Sequence, residues 1–160
     1  MKAFVTFDEL KLFGQEAITE NLVRKAEIKE GKTIFLSHAS TDNALLPGVI
    51  NILEKHGGRV YVDKRDTSLS QNDFTAVASR LRSAVRGCRK FVLFVTPNSK
   101  DSQWIPWELG LGDGDLGESN VALFPSAENQ YEQHWSQQEY LGFINGSSGE
   151  TSPPILPTNG

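Results

Sequence analysis

Between Thr33 and Ile144 the chain alternates short runs rich in β-branched and aromatic residues with longer stretches of helical periodicity, and this constrains the fold more than any other feature. Parallel strands must be joined by long crossovers, which are usually helices that cover both faces of the sheet. A strand covered on both faces reads as an unbroken apolar run, as Lys90 to Val95 does. The pattern predicts a central parallel sheet with helices on either side.

The predicted pieces follow in order. Strand one is Thr33 to Leu36, leading into the polar loop Ser37-His38-Ala39-Ser40-Thr41-Asp42. The next helix presents Leu45, Val49, Ile52, Leu53 and His56 on one face and ends at Gly57-Gly58. Pro47 makes that helix start late or kinks its first turns. Strand two is Arg59 to Asp63, followed by a polar loop from Lys64 to Gln71 and a helix from Asn72 to Val85 with Phe74, Val77, Ala78 and Leu81 inward. Strand three is Lys90 to Val95, apolar enough to be central. After the loop Pro97 to Ser102 comes a helix that Gly110, Gly112, Gly114 and Gly117 should keep short. Strand four is Val121 to Phe124, and a fifth follows at Leu141 to Ile144. Five parallel strands with these crossovers make a flavodoxin-like three-layer α/β fold.

An amphipathic helix precedes this unit, from Thr6 to about Lys29, with Leu10, Phe13 and Ala17 on one stripe and Ile18, Leu22 and Ala26 on the next. Thr6 and Glu9 have the spacing of a capping box, and Gly31 is a natural stop. The expected organisation is a helical extension over 1–31, the sheet domain over 32–145, and a Gly/Ser/Thr/Pro tail over 146–160.

A chain of 160 residues supports one ordinary core. Its net charge of −4 comes without any block of like charge, so neither nucleic acid nor an anionic membrane is an expected partner. The single Cys88 cannot form an internal disulfide, the N-terminus lacks a secretory pattern, and no apolar run approaches the roughly 20 residues that span a bilayer. A cytoplasmic protein is expected.

The segment Trp104-Ile105-Pro106-Trp107-Glu108-Leu109-Gly110 carries the most chemical information. It follows strand three, so Glu108 falls at the carboxyl edge of the sheet, where open α/β folds bind their ligands. Two flat rings beside a carboxylate suit a heterocyclic base. The competing reading makes Pro106 the first helical residue and Glu108 a cap for Ile105, with the tryptophans as packing groups. His38 beside Ser37 lacks an evident acid partner, which favours a hydrogen-bonded structural histidine. Asp42 reads as a helix cap, Asp63 and Asp66 as a solvated turn, Arg80, Arg82 and Arg86 as an exposed helix face, and Cys88 as buried and inert.

Three stretches together resemble the TIR domain, the Toll/interleukin-1 receptor family: Ile34-Phe35-Leu36-Ser37-His38-Ala39-Ser40-Thr41-Asp42, Val60-Tyr61-Val62-Asp63, and Thr96-Pro97-Asn98-Ser99 with Ser102, Trp104, Glu108 and Leu109. The resemblance covers about Thr33 to Ile144. It implies an NAD-cleaving activity whose catalytic glutamate is Glu108, with Trp104 the tryptophan of the W-x-x-x-E segment and Lys64 to Gln71 the mobile loop. Pro106, the Gly run after Glu108 and the weakly patterned stretch before Tyr140 depart from the family pattern.

On that reading NAD is a substrate, and neither a cofactor nor a metal is expected. Breaking the ribose–nicotinamide bond builds positive charge on the sugar, as in glycoside hydrolysis, and a fixed carboxylate stabilises it. Trp104 or Trp107 could stack on the nicotinamide ring. Phe35, Ser37 and His38 could line the same crevice, and Lys64 and Arg65 could meet the pyrophosphate. Stand-alone bacterial TIR proteins resemble the signal-producing partner of anti-phage systems such as Thoeris. This implies self-association through TIR–TIR contacts and a diffusible ADP-ribose product that acts on a separate effector. The alternatives are a non-catalytic TIR adaptor and an enzyme similar to nucleoside deoxyribosyltransferases, in which the glutamate would be a covalent nucleophile.

Overall fold

A computed structural model describes residues 4–15, 19–28, 30–63, 74–102 and 104–129. Four parallel strands form one sheet: β1 (Ile34–Ser37), β2 (Val60–Val62), β3 (Lys90–Val95) and β4 (Val121–Pro125), in the order β2-β1-β3-β4. The predicted β3 coincides with the observed one, and β1, β2 and β4 differ from prediction only at their ends. The fifth strand expected at Leu141 to Ile144, the loop Lys64 to Gln71 and the tail over 146–160 lie outside the described residues.

Alternate side chains of each strand serve different cores, the period-2 rule applied to a sheet covered on both faces. Phe35, Tyr61, Phe91, Leu93 and Val95 face α4 (Phe74–Arg86) and α5 (Trp104–Leu116), where they meet Leu81, Ala84, Val85, Ile105 and Leu109. Leu36, Val60, Val62, Val92 and Phe94 face the other way, onto Leu45, Leu46, Val49 and Ile50. That second layer is built by α3 (Leu46–Lys55) and the N-terminal helices α1 (Phe7–Gln15) and α2 (Thr19–Ala26), which bring in Leu10 and Ala26.

Helix α3 starts late. A 3₁₀ turn over Ser40–Leu45 precedes it, and Pro47 sits in its first turn, where a missing N–H costs no helical hydrogen bond. It ends as predicted at Gly57, whose φ of 92° lets the Gly58 N–H reach the Leu53 carbonyl and the Gly57 N–H that of Glu54.

The single helix predicted from Thr6 to Lys29 is described as two, α1 and α2, with 16–18 outside the description. Glu9 accepts the Thr6 N–H at 2.8 Å and the Thr6 hydroxyl at 3.0 Å, so the predicted pairing caps α1. The extension is joined to the domain by hydrogen bonds as well as packing: Phe7 N–H donates to the Ala127 carbonyl at 3.0 Å, and Asn51 Nδ2 donates to the Phe13 carbonyl at 2.9 Å. Helix α1 crosses α3 at Gly48, where an added Cβ would lie 2.1 Å from the Leu10 carbonyl oxygen. Since that neighbour is backbone, Gly48→Ala is expected to push α1 off α3 and to destabilise the fold by about 1–3 kcal/mol. Urea unfolding measures this; an unchanged midpoint would mean that the two helices do not rest on each other.

Helix α5 is longer than its glycines suggested, with 13 residues from Trp104 to Leu116. The cost of a helical glycine, about 1 kcal/mol against alanine, is offset at Gly112 by close approach to the sheet. A Cβ there would stand 2.6 Å from the Phe91 ring.

Candidate active site

The strand order reverses direction between β1 and β3, because the chain leaves β1 for β2 on one side and comes back to β3 on the other. In open α/β folds such a switch point, beyond the carboxyl ends of the two strands, is where ligands bind. Ser37, the last residue of β1, pairs in register with Leu93 of β3 and stands at that edge.

Helix α5 opens at Trp104, so Pro106 falls within its first turn and Glu108 is the fifth helical residue. The cap for Ile105 does not form from Glu108; the Ile105 N–H donates to Ser102 Oγ at 3.4 Å. The Glu108 side chain enters the protein, 2% exposed, and its Oε2 accepts a hydrogen bond from the Ser37 hydroxyl, itself 1% exposed. A carboxylate cannot be buried cheaply unless donors hold it. Two segments 71 residues apart thus meet on one charged group at the sheet's carboxyl edge.

The other sequence-predicted residues separate into those near this pair and those that are not. His38 follows Ser37, is buried, and bonds through Nε2 to Asn43 Oδ1 at 2.9 Å, within its own loop. Trp104 and Trp107 meet edge to face, centroids 5.7 Å apart at 80°, and both pack partly buried against the core beside Ile105 and Leu109. The Arg82 guanidinium lies over the Trp107 ring, 5.7 Å from its centroid, which ties that tryptophan to α4. Phe35 does not line the crevice. Its ring is 0% exposed and stacks at 12° on Phe91, with Tyr61 on another side, because its position in β1 points into the core beneath α4 and α5. Lys64 and Arg65 lie outside the described residues.

Asp63, expected in a solvated turn, is inside. Asp63, at the end of β2, is 6% exposed and accepts Arg80 Nη2 at 3.0 Å, Arg80 Nε at 3.2 Å and the Tyr61 hydroxyl at 3.0 Å. Burial and then the Asp63 charge hold the Tyr61 phenol well above its ordinary range. Arg80 is therefore the half-buried partner of a buried carboxylate, whereas Arg82, over Trp107, and Arg86, 3.3 Å from Asp115, stay exposed as predicted. Cys88 is buried as expected, and burial pushes its thiol up to about 11, which keeps it neutral near pH 7.

Asp42 caps no helix either. It is 1% exposed, and its two oxygens accept from Thr96 Oγ1 at 2.6 Å and Asn98 Nδ2 at 2.7 Å, in the loop after β3. Sequence reasoning missed this contact. Its one visible trace is that both polar loops follow strands now seen to be adjacent. Among the described residues no group of three or more His, Cys, Asp or Glu side chains is placed to hold a metal, and no helix is long and apolar enough to cross a membrane.

A buried carboxylate steadied by a hydroxyl at an α/β switch point can stabilise positive charge developing on a ligand, and aromatic rings on the same helix suit a flat heterocycle. A family profile described as TIR domain matches residues 34–152. The chain is also similar to a Bacillus cereus (strain MSX-D12) protein named probable 3′ cyclic ADP-D-ribose synthase ThsB′, with 32% identity over 136 residues, covering 81% of this chain and 69% of that protein.

Proposed function

The chain belongs to the TIR domain family, and from that premise we propose that it cleaves the ribose–nicotinamide bond of NAD and makes an ADP-ribose-derived signal, a cyclic one as in its relative's name, for anti-phage defence. The observation that carries this reading is the buried Glu108 carboxylate held by the Ser37 hydroxyl at the end of β1.

The bonding electrons leave with nicotinamide, whose ring loses its positive charge as the ribose gains it. Glu108 supplies the fixed negative charge beside the ribose, preorganised by Ser37. A hydroxyl of the same molecule then captures the sugar carbon and loses its proton to solvent, or an adenine ring nitrogen does so with the proton leaving from the exocyclic amine, closing the ring; capture by water would give linear ADP-ribose. We give the stacking role to Trp104, the tryptophan of the W-x-x-x-E segment, one helical turn before Glu108. His38 sits one residue beyond Ser37, where it can shape the crevice wall. Lys64 and Arg65 remain our candidates for the pyrophosphate, and a fifth strand at Leu141 to Ile144 and a domain over 32–145 are part of the same proposal. TIR–TIR contacts between copies and a separate effector that reads the product belong to the same proposal.

The test is incubation with NAD at low and high protein concentration, following nicotinamide and every ADP-ribose product by mass spectrometry. A product with the mass of ADP-ribose less one water is the cyclic signal, and specific activity that climbs with protein concentration reports assembly. Absence of nicotinamide release at every concentration overturns the proposal.

A further inference from the structure

Two bridges, not one, join the segment after β1 to the segment after β3. The first is Ser37 to Glu108. The second is Asp42, which accepts both Thr96 and Asn98 at 2.6 and 2.7 Å. Asp42 lies five residues beyond Ser37, and Thr96 begins the stretch that leads to Glu108.

The second bridge is tightly constructed. The Thr96 hydroxyl donates to Asp42 Oδ2 while accepting the Asn98 N–H at 3.1 Å, so donor and acceptor roles run in one direction and reinforce each other. The Thr96 N–H donates to Ser99 Oγ at 2.9 Å, completing a reciprocal cap on the 3₁₀ turn Pro97–Asp101. Ser102 closes that turn, its N–H on the Ser99 carbonyl at 3.1 Å, and its hydroxyl accepts the Ile105 N–H in the first turn of α5. A continuous series of bonds therefore runs from Asp42 to the start of the helix that carries Glu108. Thr96, Ser99 and Asp42 are each 1% exposed, so none can exchange these partners for water without opening the loop.

Resting on the NAD-cleavage reading, we propose that Asp42 is a positioning residue for that reaction: through Thr96 and Asn98 it sets the depth at which α5 presents Glu108 to Ser37. Its contribution is geometric. Asp42→Asn keeps the shape but supplies one acceptor oxygen where there were two, so Thr96 or Asn98 loses its partner. Asn98→Ala breaks one arm of the bridge without changing any charge, at a half-buried position, and serves where Asp42→Asn compromises folding.

The experiment has a readout independent of turnover. The Glu108 side-chain carboxyl is titrated by carbon-13 NMR in wild type, Asp42→Asn, Asn98→Ala and Ser37→Ala. A carboxylate that loses a hydrogen-bond donor titrates at higher pH. Removing the Asp42 charge has the opposite sign, since a neighbouring negative charge raises a carboxyl's titration point and its loss lowers it. The expected result is an upward shift in both Asp42→Asn and Asn98→Ala, in the same direction as Ser37→Ala. In nicotinamide release, each variant should lower kcat about tenfold with KM within about twofold, the pattern of a contact made in the transition state. Titrations of Asp42→Asn and Asn98→Ala that stay at the wild-type value, or move down, overturn the positioning role. An upward shift in both variants, where the wild-type protein releases no nicotinamide, leaves the bridge standing and removes the NAD-cleavage reading instead.

Discussion

Glu108→Gln is expected to slow nicotinamide release by roughly 10²- to 10³-fold, about 3–4 kcal/mol of transition-state stabilisation. The argument rests on charge and not on shape. Glutamine fills the same volume and keeps an oxygen that can accept the Ser37 hydroxyl, so the contact between α5 and β1 survives. What disappears is the negative charge, whose partner exists only while the ribose is electron-poor. Substrate affinity should therefore change little, and kcat and kcat/KM should fall together. Folding stability should hold or improve slightly, because a neutral amide is easier to bury than a carboxylate. Release rates by mass spectrometry and unfolding midpoints by circular dichroism check both halves. A variant that turns over within about threefold of wild type would remove Glu108 from the mechanism, whereas a wild-type protein without turnover would favour the adaptor role. A variant that fails to fold would make the carboxylate structural.

Phe35→Ala is expected to cost about 3–5 kcal/mol of stability, the range for deleting a fully buried aromatic ring. The ring is sealed between Tyr61 and Phe91, and Phe91 in turn touches the surface left by Gly112, so its removal leaves a cavity that β1, β3 and α5 cannot close together. Phe35→Leu, which keeps most of the volume, should cost much less. Urea denaturation of the three proteins is the measurement. If the alanine variant stayed within 1 kcal/mol of wild type but bound NAD poorly, the ring would face ligand after all, and its place in the core would be wrong.

The elements were legible because their causes are local. A run such as Phe91 to Val95 is apolar enough to require cover on both sides, Pro47 forbids an earlier helix start, and Gly57 supplies the positive φ that a helix end uses. The prominence of Glu108 was legible too, as a charged residue in an apolar helix segment just beyond a strand. The errors share one cause. Asp42 was read as a helix cap and Asp63 and Arg80 as solvated groups, yet their partners lie 54 and 56 residues away for Asp42 and 17 for the Asp63–Arg80 pair. Whether a polar side chain meets water or a partner depends on which loops become neighbours, and composition does not state that.

From residue order alone came the α/β class, the four described strands, and the carboxylate most worth testing, since periodicity, turn chemistry and backbone sterics act over a few residues. Tertiary structure decided the rest. It turned Phe35 into the core, laid Arg82 on Trp107, and brought Ser37 to Glu108 and Asp42 to Thr96 and Asn98. Those pairings follow from the strand order β2-β1-β3-β4, which places the ends of β1 and β3 side by side, and strand order is settled by packing energies summed over both faces of the sheet.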